Sequence, residues 1–343
     1  MSREIIPEMV EMARFAKQHV PEEHELDDKD FVDLRINTLV EEGAASALVA
    51  LSKTESHNSK ELIARIFNAL CEQHQNRGRV VQEGGTKALL NLAQEGTPKG
   101  KTCAAQALAR IAITINPEVA FPGQRAYEVV RPLLQLLQVD GMALENFESL
   151  MGLCNIAGMS ESARQRIIKE KGVPKIEHYM FEDHELLRRA AFQCMANMCA
   201  SPSLVTILEG ENDKLKYLFL SCSDEDEEIV KASAGALCML LPESRKCCDK
   251  VFEAMDWAEI LQFLVSHANP EVHYRGTVIV YYLVEHSKEY AQKIMDTHAK
   301  DALTALSKIE NPELVHPKGR EFAQKILDLC VSLKVIDPLD NED

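Results

Sequence analysis

Aromatic residues are scarce in this 343-residue chain. They make up 6% of it, and Trp257 is the single tryptophan. Large flat side chains therefore cannot fill the interior, and Leu, Ala, Val and Met must. Apolar residues reach 46%, enough for a continuous core. Close helix packing over small side chains fits that palette better than a sheet sandwich does.

Basic charge is also in short supply. Lys and Arg number 38 against 54 Asp and Glu, a formal net charge of −16. Phosphate backbones require a basic surface, so nucleic acid is excluded as the main partner. Part of the acid is concentrated in PEEHELDDKD (Pro21 to Asp30) and DEDEE (Asp224 to Glu228). Such runs keep a long protein soluble, or steer it toward a basic partner surface.

Long hydrophobic runs are missing as well. The longest, TVIVYYLV (Thr277 to Val284), is far too short to cross a bilayer, so no membrane partner is expected. The N-terminus, MSREIIPEMVEMARFAK, is charged throughout and has no secretory pattern. Ten cysteines occur without a CxxC pair, and neighbours Cys247 and Cys248 cannot easily bridge to each other. Several, such as Cys154, Cys194 and Cys238, fall on apolar helix stripes, where a free thiol behaves as a small hydrophobe. A reducing, cytoplasmic location follows.

What the chain does have is internal repetition. QALARIA (from Gln106), MGLCNIA (from Met151), QCMANMC (from Gln193) and GALCMLL (from Gly235) align, with NALCE (from Asn68) before them and VIVYYLV (from Val278) after. The fifth residues are Glu72, Arg110, Asn155, Asn197, Met239 and Tyr282, spaced 38, 45, 42, 42 and 43 residues apart. A shorter helical pattern precedes each block, as in GTKALLNLAQ, GVPKIEHYM and WAEILQFLV. Polar turns such as FEDHE and HANPE lie between. A unit of about 42 residues with two main helices and room for a short third matches armadillo or HEAT repeats. The predicted fold is all-α, a right-handed superhelical solenoid of armadillo-like repeats.

In such arrays the last helix of each unit lines the concave side. Residues four apart share a helical face. The expected inner ladder is therefore Asn68/Glu72, Gln106/Arg110, Met151/Asn155, Gln193/Asn197, Gly235/Met239 and Val278/Tyr282. Between these positions the small residues Ala107, Gly152, Cys194 and Ala236 suit close helix packing. The amides in the middle of the ladder can donate to and accept from an extended backbone. Met239, Val278 and Tyr282 at its end suit apolar or aromatic side chains. Helices stacked about 8–10 Å apart would each face roughly three residues of a bound strand. The same amides would serve equally well to cap or bridge neighbouring helices.

Catalytic patterns are weak. GTPKGKT (Gly96 to Thr102) imitates a phosphate loop but is one residue short and follows an apparent helix rather than a strand. The eleven histidines are scattered, no HExxH occurs, and no nucleophile–base set stands out. No catalytic residue, metal ligand or cofactor is assigned, and no enzyme activity is expected.

One stretch departs from the regular pattern. ALARIAITINPEVAFPGQRAYEVVRPLLQLL (Ala107 to Leu137) sits in the longest step of the ladder. It strongly resembles the UCS domain of animal myosin chaperones. So do PEEHELDDKDF (Pro21 to Phe31), KTESHNSKELIARIFNALC (Lys53 to Cys71), VVQEGGTKALL (Val80 to Leu90), ALENFESLMGLCNIAG (Ala143 to Gly158) and RQRIIKEKGVPKIE (Arg164 to Glu177). The resemblance runs over essentially the whole chain and weakens after about Lys288.

The resemblance implies an armadillo superhelix that binds the myosin motor domain and aids its folding, stability and assembly without hydrolysing ATP. Animal members also carry an N-terminal TPR domain that docks the ninety-kilodalton heat-shock chaperone. No TPR pattern is visible here, which reads as a truncated chain or a natural short form. Residues 1–30 are expected to form an N-terminal helix and acidic connector. Residues 31–343 are expected to form the continuous array, with Asp301 to Cys330 as a cap. The FPGQR turn (Phe121, Pro122, Gly123, Gln124 and Arg125) is expected to fold over the groove, brace it, or simply connect. Arg110 and Arg131 pair with acidic client residues, or equally with the chain's own carboxylates. Rival readings are a generic armadillo peptide adaptor and a structural scaffold. Classical import cargo is disfavoured, because the grooves that hold it place tryptophans beside their asparagines.

Overall fold

The polar turns between the apolar blocks work as helix caps. In the computed structural model, which describes residues 29–311 and 313–337, Ser56 Oγ accepts from the backbone N–H of Ser59. Thr97 does the same for Gly100, Ser160 for Ala163, Ser244 for Cys247, and Asn269 for Glu271. Each such side chain satisfies one of the backbone donors that a helix start leaves unpaired. Proline stands in the first turn of several helices, at Pro98, Pro202, Pro270 and Pro317, where its missing N–H costs nothing.

Every regular element among the described residues is a helix, and the helices come in threes. The first triplet is α1 (Lys29–Glu41), α2 (Ala44–Leu51) and α3 (His57–Leu70). The second is α4 (His74–Gln82), α5 (Gly85–Glu95) and α6 (Pro98–Thr114). In the third, two single turns, α7 (Pro117–Ala120) and α8 (Arg125–Glu128), replace the first helix, followed by α9 (Val130–Leu136) and α10 (Ala143–Met159). Then come α11 (Glu161–Lys169), α12 (Gly172–Tyr179) and α13 (Glu185–Met198). The next triplet is α14 (Pro202–Leu208), α15 (Lys214–Leu220) and α16 (Glu227–Leu240). It is followed by α17 (Arg245–Phe252), α18 (Trp257–Val265) and α19 (Pro270–His286). The last triplet is α20 (Lys288–Met295), α21 (Ala299–Lys308) and α22 (Pro317–Ser332), and the expected cap, Asp301 to Cys330, falls on its second and third helices. The all-α, armadillo-like repeat architecture is thus what the chain adopts.

The tight corner between the first and second helix of a triplet has a steric cause. Gly84 enters α5 at φ 85° and Lys171 enters α12 at φ 59°, both left-handed. The next residue, Gly85 or Gly172, then presses on the preceding helix. A Cβ on Gly85 would lie 2.5 Å from a Val80 methyl, and one on Gly172 would lie 2.6 Å from an Ile167 methyl. Only the lack of a side chain lets the chain turn back so closely.

The chain groups into two compact units, Met1–Cys194 and Met195–Asp343, divided within α13. The sequence predicts one continuous array from residue 31. Most of the expected N-terminal helix and acidic connector, residues 1–28, lies outside the described residues, and α1 runs across the expected boundary at 30/31. In the first unit α6 is central and packs against α3, α5, α9 and α10. Its apolar face, with Ala104, Leu108 and Ile111, is fully buried. In the second unit α19 has the same place and packs against α16, α18 and α22, with Val272, Ile279 and Leu283 fully buried.

Gly152 allows α10 to approach α6 closely. A Cβ there would meet Ala112 Cβ and a Leu133 methyl, both at 3.4 Å. Ala107, Cys194 and Ala236, the other small residues between the ladder positions, are fully buried. Among the described residues no single helix is long and apolar enough to cross a membrane.

Candidate functional site

The third helices carry the ladder, and the structure sorts its members into two kinds. In the first unit, Asn68, Gln106 and Arg110 turn toward one another. Asn68 Nδ2 donates to Gln106 Oε1 at 2.7 Å. Gln106 Nε2 donates to Glu148 Oε2 at 2.9 Å, and Arg110 Nε donates to Glu148 Oε1 at 2.8 Å. Arg110 Nη1 reaches back to the carbonyl of Asn68 at 3.0 Å and to its side-chain Oδ1 at 3.2 Å. Gln106, Arg110 and Glu148 are all buried. One polar string therefore ties α3, α6 and α10 together.

Arg77 of α4 extends that string. Its guanidinium donates to the carbonyls of Cys71 at 2.7 Å, Glu72 at 3.1 Å and Arg110 at 3.0 Å. Burial draws Arg77 below the usual guanidinium value, against the opposing influence of Cys71; Arg110 adds to the lowering and Glu148 opposes it. Burial likewise pushes the neighbouring Glu145 carboxyl up, with the Glu148 charge adding to it.

Gln106 and Arg110 thus spend their polar atoms inside the protein. Of the pairings expected for Arg110, the chain's own carboxylate is the one observed. Arg131 likewise pairs with Glu170, at 3.0 Å. Sequence reasoning missed Glu148 and Arg77. The available signal for Glu148 is its register, 42 residues after Gln106, one repeat on.

Asn155 is divided between the two kinds. Its Nδ2 donates to the carbonyls of Ala112 at 2.9 Å and Ile113 at 3.2 Å, near the end of α6. Its Oδ1 accepts no hydrogen bond among the described residues. Asn155 and Met151 are half-buried, Gln193 is exposed, and Asn197 is half-buried.

The second unit has a different surface. Met239 lines a cavity of about 620 Å³ together with Cys199, Val205, Pro242 and the carboxylates Glu209 and Glu243. Tyr282 is half-buried and meets Tyr281 edge-on, with ring centroids 5.4 Å apart. Tyr281 in turn packs edge-on against Phe322 at 5.3 Å. Tyr274 stacks on His316 at 4.5 Å. Tyr274, Tyr281 and Phe322 join α19 to α22 and were not singled out in the sequence. Val278 departs from expectation: at 8% exposed it belongs to the core. Its neighbours on α19, Ile279 and Val280, are buried too, so this stretch of the helix is enclosed almost all round.

The FPGQR turn also divides. Phe121 is fully buried, with its backbone N–H donating to the Pro117 carbonyl at 2.8 Å. Burial of its ring anchors the turn to the core, and only Pro122, Gly123 and Gln124 are exposed, with Arg125 half-buried.

The phosphate-loop mimic is a helix start. Thr97 caps α6, the segment follows helix α5, and a Cβ on Gly100 would lie 3.1 Å from Glu61 Cα. Its glycine serves helix packing. All ten cysteines are free thiols. Burial raises several of them, Cys238 and Cys248 to about 12, so they are packing residues rather than nucleophiles. Among the described residues no three His, Cys, Asp or Glu side chains come together to hold a metal.

No protein-family model matches the chain. Close relatives do. "Protein unc-45 homolog B" of Danio rerio is 47% identical over 348 residues, covering 99% of this chain and 37% of that protein. The structure of UNC-45 from Drosophila melanogaster superposes with a TM-score of 0.86 at 53% identity, over 96% of this chain and 42% of that one. The chain belongs to the UNC-45 family. The myosin chaperone UNC-45 from C. elegans, solved in complex with an Hsp90 peptide, superposes with a TM-score of 0.85 at 35% identity. That match covers 95% of this chain and 37% of that one. The chain therefore spans little more than a third of the length of these UNC-45 relatives.

Proposed function

We propose that this chain is the client-holding region of a myosin chaperone, and that it captures a segment of the motor domain on the exposed faces of its third helices. Membership in the UNC-45 family carries the reading, because a member aligned along nearly the whole chain is a myosin chaperone.

Each unit offers its own chemistry for that task. In the first, the buried string through Gln106, Arg110 and Glu148 is the frame, and Met151, Asn155 and Gln193 are the contacts. The unsatisfied Oδ1 of Asn155 accepts a backbone N–H of the client. In the second, Asn197, Met239 and Tyr282 are the contacts. The cavity at Met239 sets apolar side chains such as Val205 and Met239 beside the carboxylates Glu209 and Glu243. It favours an apolar client side chain followed by lysine or arginine. Methionine adapts to variable clients because it is unbranched and polarisable. No single hydrogen bond supplies more than about 0.5–1.5 kcal/mol, so capture relies on several contacts together.

The holding is passive and needs no ATP, and the site of action is the cytoplasm. Hsp90 is a partner of the full-length family protein, with no dock assigned to the residues described here.

The test is suppression of thermal aggregation of a purified myosin motor domain without ATP, with an unrelated heat-sensitive protein as control. Selective protection of the motor is expected. Protection of both would replace the specific chaperone by a general holdase. Protection of neither would leave the peptide adaptor or the scaffold, which concentration-dependent mass measurements separate.

A further inference from the structure

The first unit holds a second feature that motor capture does not use. A cavity of about 330 Å³ opens between α5, α6, α8, α9 and α11. Lys101, Arg131 and Arg166 line it, with Gln94 and Gln135 beside them and Glu128 as the single carboxylate on its wall. In a chain of net charge −16, three cations converging from three helices reverse the prevailing sign.

Their charge is only partly matched. Glu170 accepts from Arg131 Nε at 3.2 Å and Nη2 at 3.0 Å, and it also pairs with Arg166 Nη2 at 2.8 Å. One carboxylate thus fixes two guanidinium groups without neutralising both. Arg131 holds the Glu170 carboxyl below its usual range, so that the carboxylate stays charged, although burial opposes this. Lys101 makes no ion pair among the described residues. The Nε of Arg166 is out of solvent contact and has no acceptor.

The ligand that fits is compact, carries several acceptor oxygens and has more than one negative charge. Planar guanidinium groups held in place and a nearby ammonium suit such a group. We propose that this cavity binds a phosphate-class oxyanion, either free or carried on a phosphorylated side chain. Lys101 belongs to GTPKGKT, yet it acts here as one side chain of a cavity wall and not through a nucleotide loop. The site is independent of motor capture, and either can fail without the other.

Calorimetry at fixed ionic strength tests this with three probes: inorganic pyrophosphate, a phosphoserine peptide and the same peptide unphosphorylated. Saturable binding of pyrophosphate or of the phosphopeptide is expected, and which of the two binds identifies the source. Lys101→Ala and, separately, Lys101→Gln should weaken it about tenfold or more, as expected for loss of a charge-assisted contact. Circular dichroism and motor protection should stay as in the wild type. The site is disproved if neither probe saturates. It is equally disproved if the unphosphorylated peptide binds as well as the phosphopeptide, or if both Lys101 variants bind as the wild type does.

Discussion

Arg110 and Glu148 face each other inside the first unit, 38 residues apart in the chain, with Nε and Oε1 2.8 Å apart and side chains only 7% and 11% exposed. Neither charge has water to fall back on. Breaking such a pair from one side leaves an uncompensated buried charge, at a cost of about 3–5 kcal/mol. Glu148→Ala is therefore expected to lower the stability of the chain by that order in urea denaturation. Replacing both partners with apolar residues, Arg110→Met with Glu148→Leu, should recover only part of the loss, because Gln106 Nε2 and the Asn68 carbonyl lose their partners as well. A single Glu148→Ala variant within about 1 kcal/mol of the wild type would show that the string contributes little to stability.

Contacts for a client should separate from fold. Tyr282 and Asn197 are half-buried, and Met239 lines an open cavity. Tyr282→Ala, Asn197→Asp and Met239→Ser are each expected to reduce protection of the motor domain severalfold. Their helical circular dichroism should match the wild type, with midpoints within a few degrees of it. Full protection by all three variants at unchanged melting temperature would remove the proposed surface.

The α6–α10 contact predicts a steep dependence on side-chain size at one position. Gly152→Ala places a Cβ at 3.4 Å from Ala112 and Leu133, a tight contact that small shifts can absorb. Gly152→Leu overpacks the same space and should cost about 1–3 kcal/mol. Denaturant midpoints of the two variants compare them directly. Equal midpoints would mean that α10 moves away from α6 without penalty.

A pH effect is expected at the junction of α19 and α22. His273 is 1% exposed, and its Nε2 accepts the backbone N–H of His316 at 2.9 Å. Its Nδ1 lies 3.2 Å from the carbonyl of His267, which suits a neutral ring carrying its proton on Nδ1. Burial lowers its pKa; the His267 carbonyl opposes this, and the nearby His316 and His267 add to the lowering. With a folded pKa below the unfolded value of about 6.5, the unfolded chain takes up the proton first. Stability is therefore unaffected well above pH 6.5 and falls as pH drops through and below it. His273→Gln should flatten this part of the profile between pH 7.5 and 5.5. An unchanged slope in that variant would assign the loss to other groups.

Much of the architecture is legible in the sequence because its causes are local. The blocks from Gln106, Met151 and Gln193 recur at the repeat length since each forms the same helix in the same role. Caps such as Ser160 and Asn269, and corner glycines such as Gly85, act within a few residues of themselves. The small residue at Gly152 is legible too, because helix packing rewards it wherever the register repeats. Phe121 is a harder case. A phenylalanine beside proline and glycine reads equally well as an exposed clasp or as a buried anchor, and only the packing around it decides for the anchor.

The sequence by itself determined an acidic, all-helical repeat protein and the register of its third helices, because helix periodicity, capping and charge are properties of neighbouring residues. Only the tertiary structure decided which ladder residues face outward. A polar side chain is satisfied by whatever atom the next helix brings within about 3 Å. Glu148 of α10 is that neighbour for Gln106 and Arg110. The surroundings of Val278 enclose it, and those of Met239 leave a cavity. Helix-to-helix distance and rotation fix these outcomes over roughly forty residues of intervening chain, where local pattern carries no information.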